Sequence, residues 1–339
     1  MIKIIGDCNF SDGFFDLGIG VGSKICGGEK PFEYLNISEN DYWIGNFECV
    51  VSHTSNKSGM QRNQFRIAPD KLQHFKHLNL YGVANNHVMQ HGADAYNEML
   101  SVIENVGSNY VGTKNRRTHV FEHHRKKISV TAFSLRPENF SGAPIYWEQP
   151  EYAEVIDELK KHENLDYRIL FLHWGYEFIN YPNIDQKHLA HLFIDNGADL
   201  IIGMHPHVAQ GYEVYNGKYI FYSLGNAVFN MPWEPTKYGL MISVDLSGLQ
   251  PKISVSHLYI GHDMFPRIVE HVSDSYKLEY LNTLINIKQE NEIYFSRARK
   301  YYLQYRKKNR KAILANCLKM NQTSIWSIIK DYVKRRVLH

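Results

Sequence analysis

Short β-rich runs alternate with helical patterns along the first 269 residues, and this alternation constrains the fold more than any other feature. Strands interleaved with helices favour a layered α/β architecture over a helical bundle. The predicted strands are Ile2–Gly6, Tyr42–Asn46, Leu80–Ala84, Tyr167–His173, Asp199–Gly203, Tyr219–Leu224 and Leu240–Leu246. The predicted helices are Ala93–Asn105, Glu151–His162 and Ile184–Asn196, the last followed by Gly197, a residue type that commonly ends helices.

Charge divides the 339-residue chain into two unequal parts. Residues 1–269 carry a net charge of −6 and residues 270–339 one of +9, although the whole chain carries only +3. Such an asymmetry is typical of a domain boundary. We therefore predict a first domain at residues 1–269 and a basic region of two to four helices at residues 270–339, where Leu, Ile and Tyr recur at helical spacing.

Composition excludes several classes of protein. Apolar residues make up 44% and charged residues 22% of the chain, which is close to the average for globular proteins. No apolar run approaches the roughly 18 residues that cross a bilayer, and the first residues lack the pattern of a secretory signal peptide. The 4 cysteines show no CxxC pairing, which favours reduced thiols. These features predict a cytoplasmic globular protein.

Polar side chains that can bind metals cluster at the carboxyl ends of the predicted strands. Loops at these ends converge from separate elements, so ligands of α/β sheets bind there. Several such loops from one chain can build a single site. The residues are Asp7, Glu48, Asn86, His87, His173, His205 and His207.

This set mixes carboxylate and amide oxygens, which suit hard cations, with imidazole, which suits zinc, iron and manganese. A mixed set fits two ions about 3.5–4 Å apart that share one carboxylate and activate a water. Each piece alone has a plainer explanation, since Asp7 after glycine and the segment 85–87 are both typical of turns. Pro206 between two histidines is more specific, because extended backbone there points both imidazoles the same way. The assembly predicts one or two divalent ions, Mn, Zn, Fe or Mg.

Six motifs occur in a fixed order along the chain. They are GDCNF at 6–10, GNFE at 45–48, ANNHVMQHG at 84–92, LHWGYEF at 172–178, IDNGADLIIGMHPHVAQGYE at 194–213 and FYSLGNAVF at 221–229. In this order they resemble the CapA family of bacterial capsule and poly-γ-glutamate synthesis proteins, from residue 1 to about residue 246. The resemblance implies a calcineurin-like metallophosphatase fold, a layered αββα sandwich, with residues 270–339 as a C-terminal helical appendage.

The resemblance also implies roles for individual residues. The implied metal ligands are Asp7, Glu48, Asn86, His173, His205 and His207. His87 would be the proton donor to the leaving group, and Glu48 is a second catalytic candidate. The implied substrate-binding or supporting residues are Asn46, Glu177, Ser223 and Asn226.

Two positions depart from the family pattern. The family usually has an acid three residues after the motif histidine, where this chain has Gln90, and a histidine where this chain has Met204. Loss of the acid removes either an orienting partner of His87 or a charge near the metal. Outer partners of this kind change metal affinity or activity by about 10–100-fold.

The basic tail interleaves cations with aromatic residues. The cations are Arg297, Arg299, Lys300, Arg306, Lys307, Lys308, Arg310 and Lys311, and the aromatic residues are Tyr294, Phe295, Tyr301, Tyr302 and Tyr305. The simpler explanation is a helix whose aromatic face packs on the first domain and whose basic face is solvated. The alternative is a peripheral contact with anionic lipid at the inner membrane, where each cation contributes about 1 kcal/mol. The acidic first domain disfavours nucleic acid as a partner.

These observations favour a metal-dependent, phosphoesterase-like hydrolase with an anionic or polysaccharide-pathway substrate in capsule or poly-γ-glutamate biosynthesis. One alternative, favoured by Gln90 and Met204, is a metal-free acid/base enzyme or a non-catalytic accessory subunit of a polymer-assembly complex. A third hypothesis uses Glu48 and His87 as a proton-transfer pair for amide-bond or epimerisation chemistry.

Overall fold

A computed structural model describes residues 1–75, 77–138, 142–287 and 291–337. Its strands are β1 (Ile2–Cys8), β2 (Tyr42–Phe47), β3 (Val50–Val51), β4 (Arg66–Ile67), β5 (Leu80–Gly82), β6 (Asn109–Val111), β7 (Thr118–His123), β8 (Lys126–Ser134), β9 (Tyr167–His173), β10 (Leu200–Met204), β11 (Tyr212–Tyr215), β12 (Lys218–Phe221), β13 (Asn226–Val228), β14 (Tyr238–Asp245), β15 (Lys252–Ile260) and β16 (Pro266–Val269). Its α-helices are α1 (Val21–Cys26), α2 (Ala93–Asn105), α3 (Tyr152–Lys161), α4 (Ile184–Asp195), α5 (Leu278–Leu284), α6 (Asn291–Asn316) and α7 (Gln322–Val337).

Fourteen of the described strands form two mixed sheets, and β3 and β4 pair with each other in a separate short one. The first has the order β16-β15-β14-β1-β2-β5-β6, with β13 beside the end of β1. The second has the order β11-β12-β10-β9-β8-β7. Within the first sheet β1, β2, β5 and β6 run parallel, and within the second β8, β9, β10 and β12 do. Parallel strands end at one edge, so the loops that follow them lie near one another.

The two sheets pack face to face through branched aliphatic side chains. Ile4 and Ile44 of the first sheet lie in one buried cluster with Ile169 and Leu200 of the second. Alternate residues of each strand point into this layer, because successive side chains of a strand face opposite sides of the sheet. The close approach is visible at Gly82, where an added Cβ would lie 2.5 Å from the ring of Phe171.

Helices cover the outer face of each sheet. On the first sheet α2 buries Tyr96, Met99 and Ile103. On the second, Leu159 of α3 and Phe193 of α4 share one buried cluster. These layers confirm the predicted αββα sandwich.

Helix α4 has clear sequence signals at both ends. Asn183 and Gln186 form a reciprocal capping box at its start, which satisfies two free backbone donors. After its last residues, Gly197 adopts a φ of +108°, so the predicted left-handed termination is confirmed.

All seven predicted strands are present, with ends displaced by up to three residues. The strand predicted at Leu80–Ala84 ends at Gly82, and that predicted at Tyr219–Leu224 lies at Lys218–Phe221. The sequence predicted seven of the sixteen strands in the described ranges and omitted the other nine, which are β3, β4, β6, β7, β8, β11, β13, β15 and β16. Some of these strands, such as β3, β4 and β6, have only two or three residues and give no readable period. In β8 and β15 apolar and polar residues do alternate, so the signal for these two was present in the sequence.

Three helices, α5 to α7, follow β16 in the described part of the tail, within the predicted number. The domain boundary near residue 270 stays a prediction. None of the helices in the described ranges is long and apolar enough to span a membrane.

Candidate metal centre

The seven predicted polar residues come together at the carboxyl edges of both sheets. Asp7 lies near the end of β1, Glu48 directly after β2, and His173 at the end of β9. The other four lie in the loops after β5 and β10. They are Asn86, His87, His205 and His207. All are buried except His87, which is partly exposed.

Glu48 lies at the centre of this cluster. Its carboxylate is 0% exposed, and neither oxygen has a hydrogen-bond partner among the described residues. Its Oε1 lies 3.6 Å from His173 Nε2, 3.8 Å from His207 Nε2 and 3.9 Å from His87 Nε2. A buried carboxylate without hydrogen bonds is costly unless a cation compensates it. The arrangement therefore favours either a cation or a proton at Glu48.

Glu48 belongs to a first group of candidate ligands together with two histidines. Glu48, His173 and His205 each present an atom within 4.8 Å of the others. His173 Nε2 lies 2.8 Å from Asn86 Oδ1 and 3.1 Å from His205 Nδ1. Ligands bound about 2.1 Å from one ion are themselves about 3 to 3.5 Å apart, so these spacings fit a common cation.

A second group shares the same carboxylate. Asp7, Glu48 and His207 also meet within 4.8 Å. His207 Nδ1 lies 3.3 Å from Asp7 Oδ2 and 3.0 Å from Asn226 Oδ1. Asn226 is paired with Asp7 across β13 and β1, which fixes its position beside the group. The two groups of candidate ligand atoms therefore share one carboxylate, that of Glu48.

Electrostatics divides the imidazoles into two kinds. Burial and the carboxylate of Asp7 raise the pKa of Glu48 well above its usual range. Burial opposes charge on His207, but the carboxylates of Glu48 and Asp7 outweigh it and raise the pKa of this imidazole to about 10. Burial and neighbouring imidazoles hold the pKa values of His173 and His205 well below 6.5. These two rings are therefore neutral and offer free nitrogen lone pairs.

The His205–His207 segment reaches the centre by a strained path. Its two histidines have φ values of +98° and +58°, so the extended backbone predicted for this segment is wrong. Non-glycine residues with positive φ cost free energy and persist only where the surroundings fix them. Here His205 N donates to Asp7 Oδ2 at 3.2 Å, so the strained loop is tied to a candidate ligand. The rings still converge, with centroids 5.9 Å apart.

Asn46 and Asn85 hold the candidate ligands in place. Asn46 Nδ2 donates to Asp7 Oδ1 at 2.7 Å and lies 3.2 Å from His173 Nδ1. Asn85 Nδ2 contacts Asn46 Oδ1 at 3.3 Å, and Asn85 Oδ1 accepts from the backbone of His87 at 3.2 Å. Asn46 therefore lies between two candidate ligands, and Asn85, which was not among the predicted site residues, contacts Asn46.

His87 is oriented by two residues. Its Nδ1 donates to Gln90 Oε1 at 3.1 Å, and its ring stacks on Phe65 with centroids 3.8 Å apart. Burial lowers the pKa of His87 to about 4, so the neutral ring presents Nε2 toward Glu48. Gln90 thus keeps the orientation that an acid would give and omits its charge.

The remaining predicted residues lie around the centre. Glu177 lies in the loop after β9, close enough for its charge to raise the pKa of Glu48 and His207. Ser223 Oγ donates to Val208 O at 2.9 Å, so it anchors the His207 loop and does not contact the cluster itself. Met204 packs in the layer between the sheets.

Besides Asn85, two residues near the centre were not predicted from the sequence. Phe65 lies outside every motif, so no sequence signal pointed to it. Arg136 lies two residues beyond β8, a strand that was not predicted, and its charge lowers the pKa of His173 and His205. Had the run Lys126–Ser134 been read as a strand, Arg136 would have counted as a residue at a carboxyl end.

The structure is a layered αββα sandwich with a cluster of candidate metal ligands at the carboxyl edges of its sheets, which is the architecture that the resemblance to calcineurin-like metallophosphatases implies. The particular family follows from the sequence profile described as "Bacterial capsule synthesis protein PGA_cap", which matches residues 2–231. The chain belongs to this family.

Named relatives agree with this assignment. The chain is 33% identical over 244 residues to the PGA biosynthesis protein CapA of Bacillus subtilis, covering 65% of this chain and 62% of the relative. It is 31% identical over 232 residues to the capsule biosynthesis protein CapA of Bacillus anthracis, covering 62% and 56%. The chain thus spans about three fifths of the length of these relatives.

Among solved structures, a phosphatase from Mycoplasma pneumoniae matches with a TM-score of 0.47 and 12% identity, over 76% of this chain and 92% of that one. A 5'-nucleotidase from Candida albicans also has a TM-score of 0.47 and 12% identity, over 91% and 58%.

Proposed function

We propose that this protein is a metal-dependent hydrolase of the phosphoesterase kind that acts in bacterial capsule or poly-γ-glutamate biosynthesis. The pathway is supported by the family and by the names of its relatives. The chemistry is supported by one observation above the others. Glu48 is buried, its two oxygens lack hydrogen bonds among the described residues, and it is shared by two groups of ligand atoms.

The residues present fit divalent metal. Glu48, His173 and His205 with Asn86 would hold one ion, and Asp7, Glu48 and His207 a second. The imidazoles favour manganese, zinc or iron over magnesium, which prefers oxygen ligands. Such ions, when bound, supply Lewis-acid activation of water and stabilise developing negative charge.

The chain's own residues position the reaction. Asn46 and Asn226 fix the candidate ligands through the contacts described above. His87, held by Gln90 and stacked on Phe65, is placed to exchange a proton with the substrate at Nε2. Positioned acid/base groups of this kind contribute about 10²–10⁴-fold to rate.

Metal analysis combined with an aryl phosphate assay tests the proposal. We expect purified protein incubated with manganese to retain one or two ions per chain and to hydrolyse p-nitrophenyl phosphate. Glu48→Gln should lose metal from both groups, and His205→Ala from one, with activity falling about 100-fold or more. His188→Ala, an exposed histidine on α4, is the matched control and should change neither quantity. Absence of both bound metal and turnover in the wild-type protein would contradict the proposal.

The alternative is a metal-free acid/base enzyme or an accessory subunit, and the neutral pair of His87 and Gln90 favours it. Its distinguishing result is capsule production that depends on His87 although the purified protein binds no metal. If His87→Ala and His205→Ala both fold and capsule production is unchanged, the cleft is not the functional site under either hypothesis.

A further inference from the structure

Helix α6 lies directly beside the candidate metal centre. Tyr305 of α6 stacks on Phe178 with centroids 4.4 Å apart, and the ring of Phe178 lies 6.2 Å from that of His207. Tyr294 of α6 is buried and donates to Tyr181 O at 3.3 Å. The helix therefore packs on the loop that follows His173, and its aromatic face is not free. The tail forms one wall of the space next to the site.

A cleft of about 460 Å³ separates this wall from the loop after β9. Its lining residues are Arg136, Tyr176, Glu177, Phe295, Ala298, Arg299 and Tyr302. Arg136 comes from the second sheet, and Arg299 comes from α6. Among these lining residues Arg136 and Arg299 are cationic and Glu177 is acidic, so the lining has a net charge of +1.

The Arg136 side chain is held in place by some of its hydrogen-bond donors, while another donor has no partner among the described residues. Its Nη1 donates to Gly175 O at 3.2 Å, and its guanidinium lies 5.1 Å from the centre of the Tyr176 ring. Its Nε is buried and has no hydrogen-bond partner within the described ranges. A buried donor without a partner costs free energy, which an anionic acceptor in the cleft would recover.

The cationic surface continues along α6. Arg299, Lys300 and Lys307 line a second groove that shares Arg299 with the cleft. In the described part of the chain, no acidic side chain forms an ion pair with any of these three cations. Arginine binds carboxylate or phosphate through paired hydrogen bonds, and lysine acts as a mobile point charge. Repeated cations leading away from a cleft suit a ligand with repeated anionic groups.

We infer that this cleft binds an anionic group of an extended acidic substrate, with Arg136 and Arg299 as its direct contacts. Lys300 and Lys307 would bind the next anionic groups along the substrate. The inference rests on the proposed function for the reaction at the adjacent centre, but binding itself needs no turnover. It makes the C-terminal tail part of the substrate site.

Direct binding measurements test this inference on the full chain. The probes are a glutamate decamer, which supplies carboxylates, and inorganic tripolyphosphate, which supplies phosphates, each titrated by calorimetry. We expect Arg299→Gln and Arg136→Gln to weaken the preferred probe by about ten-fold or more each, because each removes a charge-assisted contact. Arg299 is exposed, so its substitution leaves the core intact.

Lys308→Gln is the matched control. It makes the same charge change on α6, but nine residues after Arg299 it lies two and a half turns away, on the opposite side of the helix. The Kd of the Lys308→Gln protein for the preferred probe should stay within about two-fold of the wild-type value, because the substitution removes only a screened long-range charge. The probe that binds more tightly identifies carboxylate or phosphate as the natural group.

Other results would overturn the inference. If neither probe binds, or if Lys308→Gln and Arg299→Gln weaken binding equally, the cleft has no specific anion site. If vesicles of phosphatidylglycerol and phosphatidylcholine capture the protein, and both variants reduce this equally while neither probe binds, the tail is a lipid-contact surface. Manganese content is measured in parallel, so failure of the metal centre is distinguished from failure of the anion cleft.

Discussion

For single residues, the hydrogen-bond partners of a buried carboxylate distinguish a candidate metal ligand from a structural anchor. Glu48 has no hydrogen-bond partner among the described residues and is shared by two groups of candidate ligands, whereas Asp16 is just as buried but accepts from Gly13 N and Asn230 Nδ2, both at 2.6 Å. A buried carboxylate is therefore a candidate ligand in one place and a loop anchor in another. The partners, rather than the burial, separate the two roles.

Asp16 makes stability depend on pH. Burial, with the nearby charge of Asp12, raises the pKa of Asp16 to about 7 despite its hydrogen bond from Asn230. Between pH 4 and 7 the folded protein keeps a proton that the unfolded chain has released, so this contribution to stability is lost as pH rises through 7. We expect Asp16→Asn to lower the melting temperature at every pH but to flatten its fall between pH 5 and pH 8.

Scanning calorimetry at the two pH values checks this expectation. Asp157→Asn, at an exposed position on α3, is the control and should follow the wild-type pH dependence. An Asp16→Asn protein with the same fall in melting temperature as wild type would show that another group is responsible.

Gln90 is expected to act through the orientation of His87. Gln90→Met keeps the volume but removes the acceptor for His87 Nδ1. We expect kcat for p-nitrophenyl phosphate to fall about 10-fold, with KM and manganese content unchanged, because the substitution touches no candidate ligand. A changed metal content with normal kcat would instead place Gln90 in metal binding.

At the scale of elements, the ends of β1 and β10 depend on backbone contacts that only glycine permits. A Cβ on Gly6 would lie 1.9 Å from Gly225 O, and one on Gly203 would lie 2.0 Å from Tyr222 O. Asp7 N donates to the same Gly225 O at 2.9 Å. Close packing of these segments therefore positions Asp7 next to the His207 loop.

Gly6→Ala should disturb this packing. The added methyl must displace backbone, so we expect unfolding free energy to fall by about 2–4 kcal/mol, measured by urea denaturation. Gly248→Ala, where the nearest atom lies at 3.7 Å, is the matched control and should change stability by less than about 0.5 kcal/mol. Equal effects of the two substitutions would argue against the close contact.

At the scale of the whole molecule, the centre joins the two sheets. Asp7 and Glu48 lie at the ends of strands β1 and β2 of the first sheet. His173 and His205 lie at the ends of strands β9 and β10 of the second. A cation bound among them would link both halves of the sandwich. Binding would therefore stabilise the folded chain as a whole.

Melting temperature measures this linkage. A ligand at 100 times its Kd adds about 2.7 kcal/mol, which for a chain of this size corresponds to a rise of about 4 °C. We expect manganese to produce such a rise in wild-type protein and a chelator to reverse it. Glu48→Gln should show no rise, and a full manganese response in that variant would remove Glu48 from the proposed ligand set.

The alternation of strands and helices and the polar residues at the strand ends were predictable from local periodicity, and the αββα layers from the family resemblance that the ordered motifs carry. Three features were not predictable from the sequence. They are the strained conformation of His205 and His207, the stacking of Phe65 on His87 and the placement of Arg136 beside α6. Each of these depends on contacts between segments far apart in the chain, and no local pattern encodes such contacts.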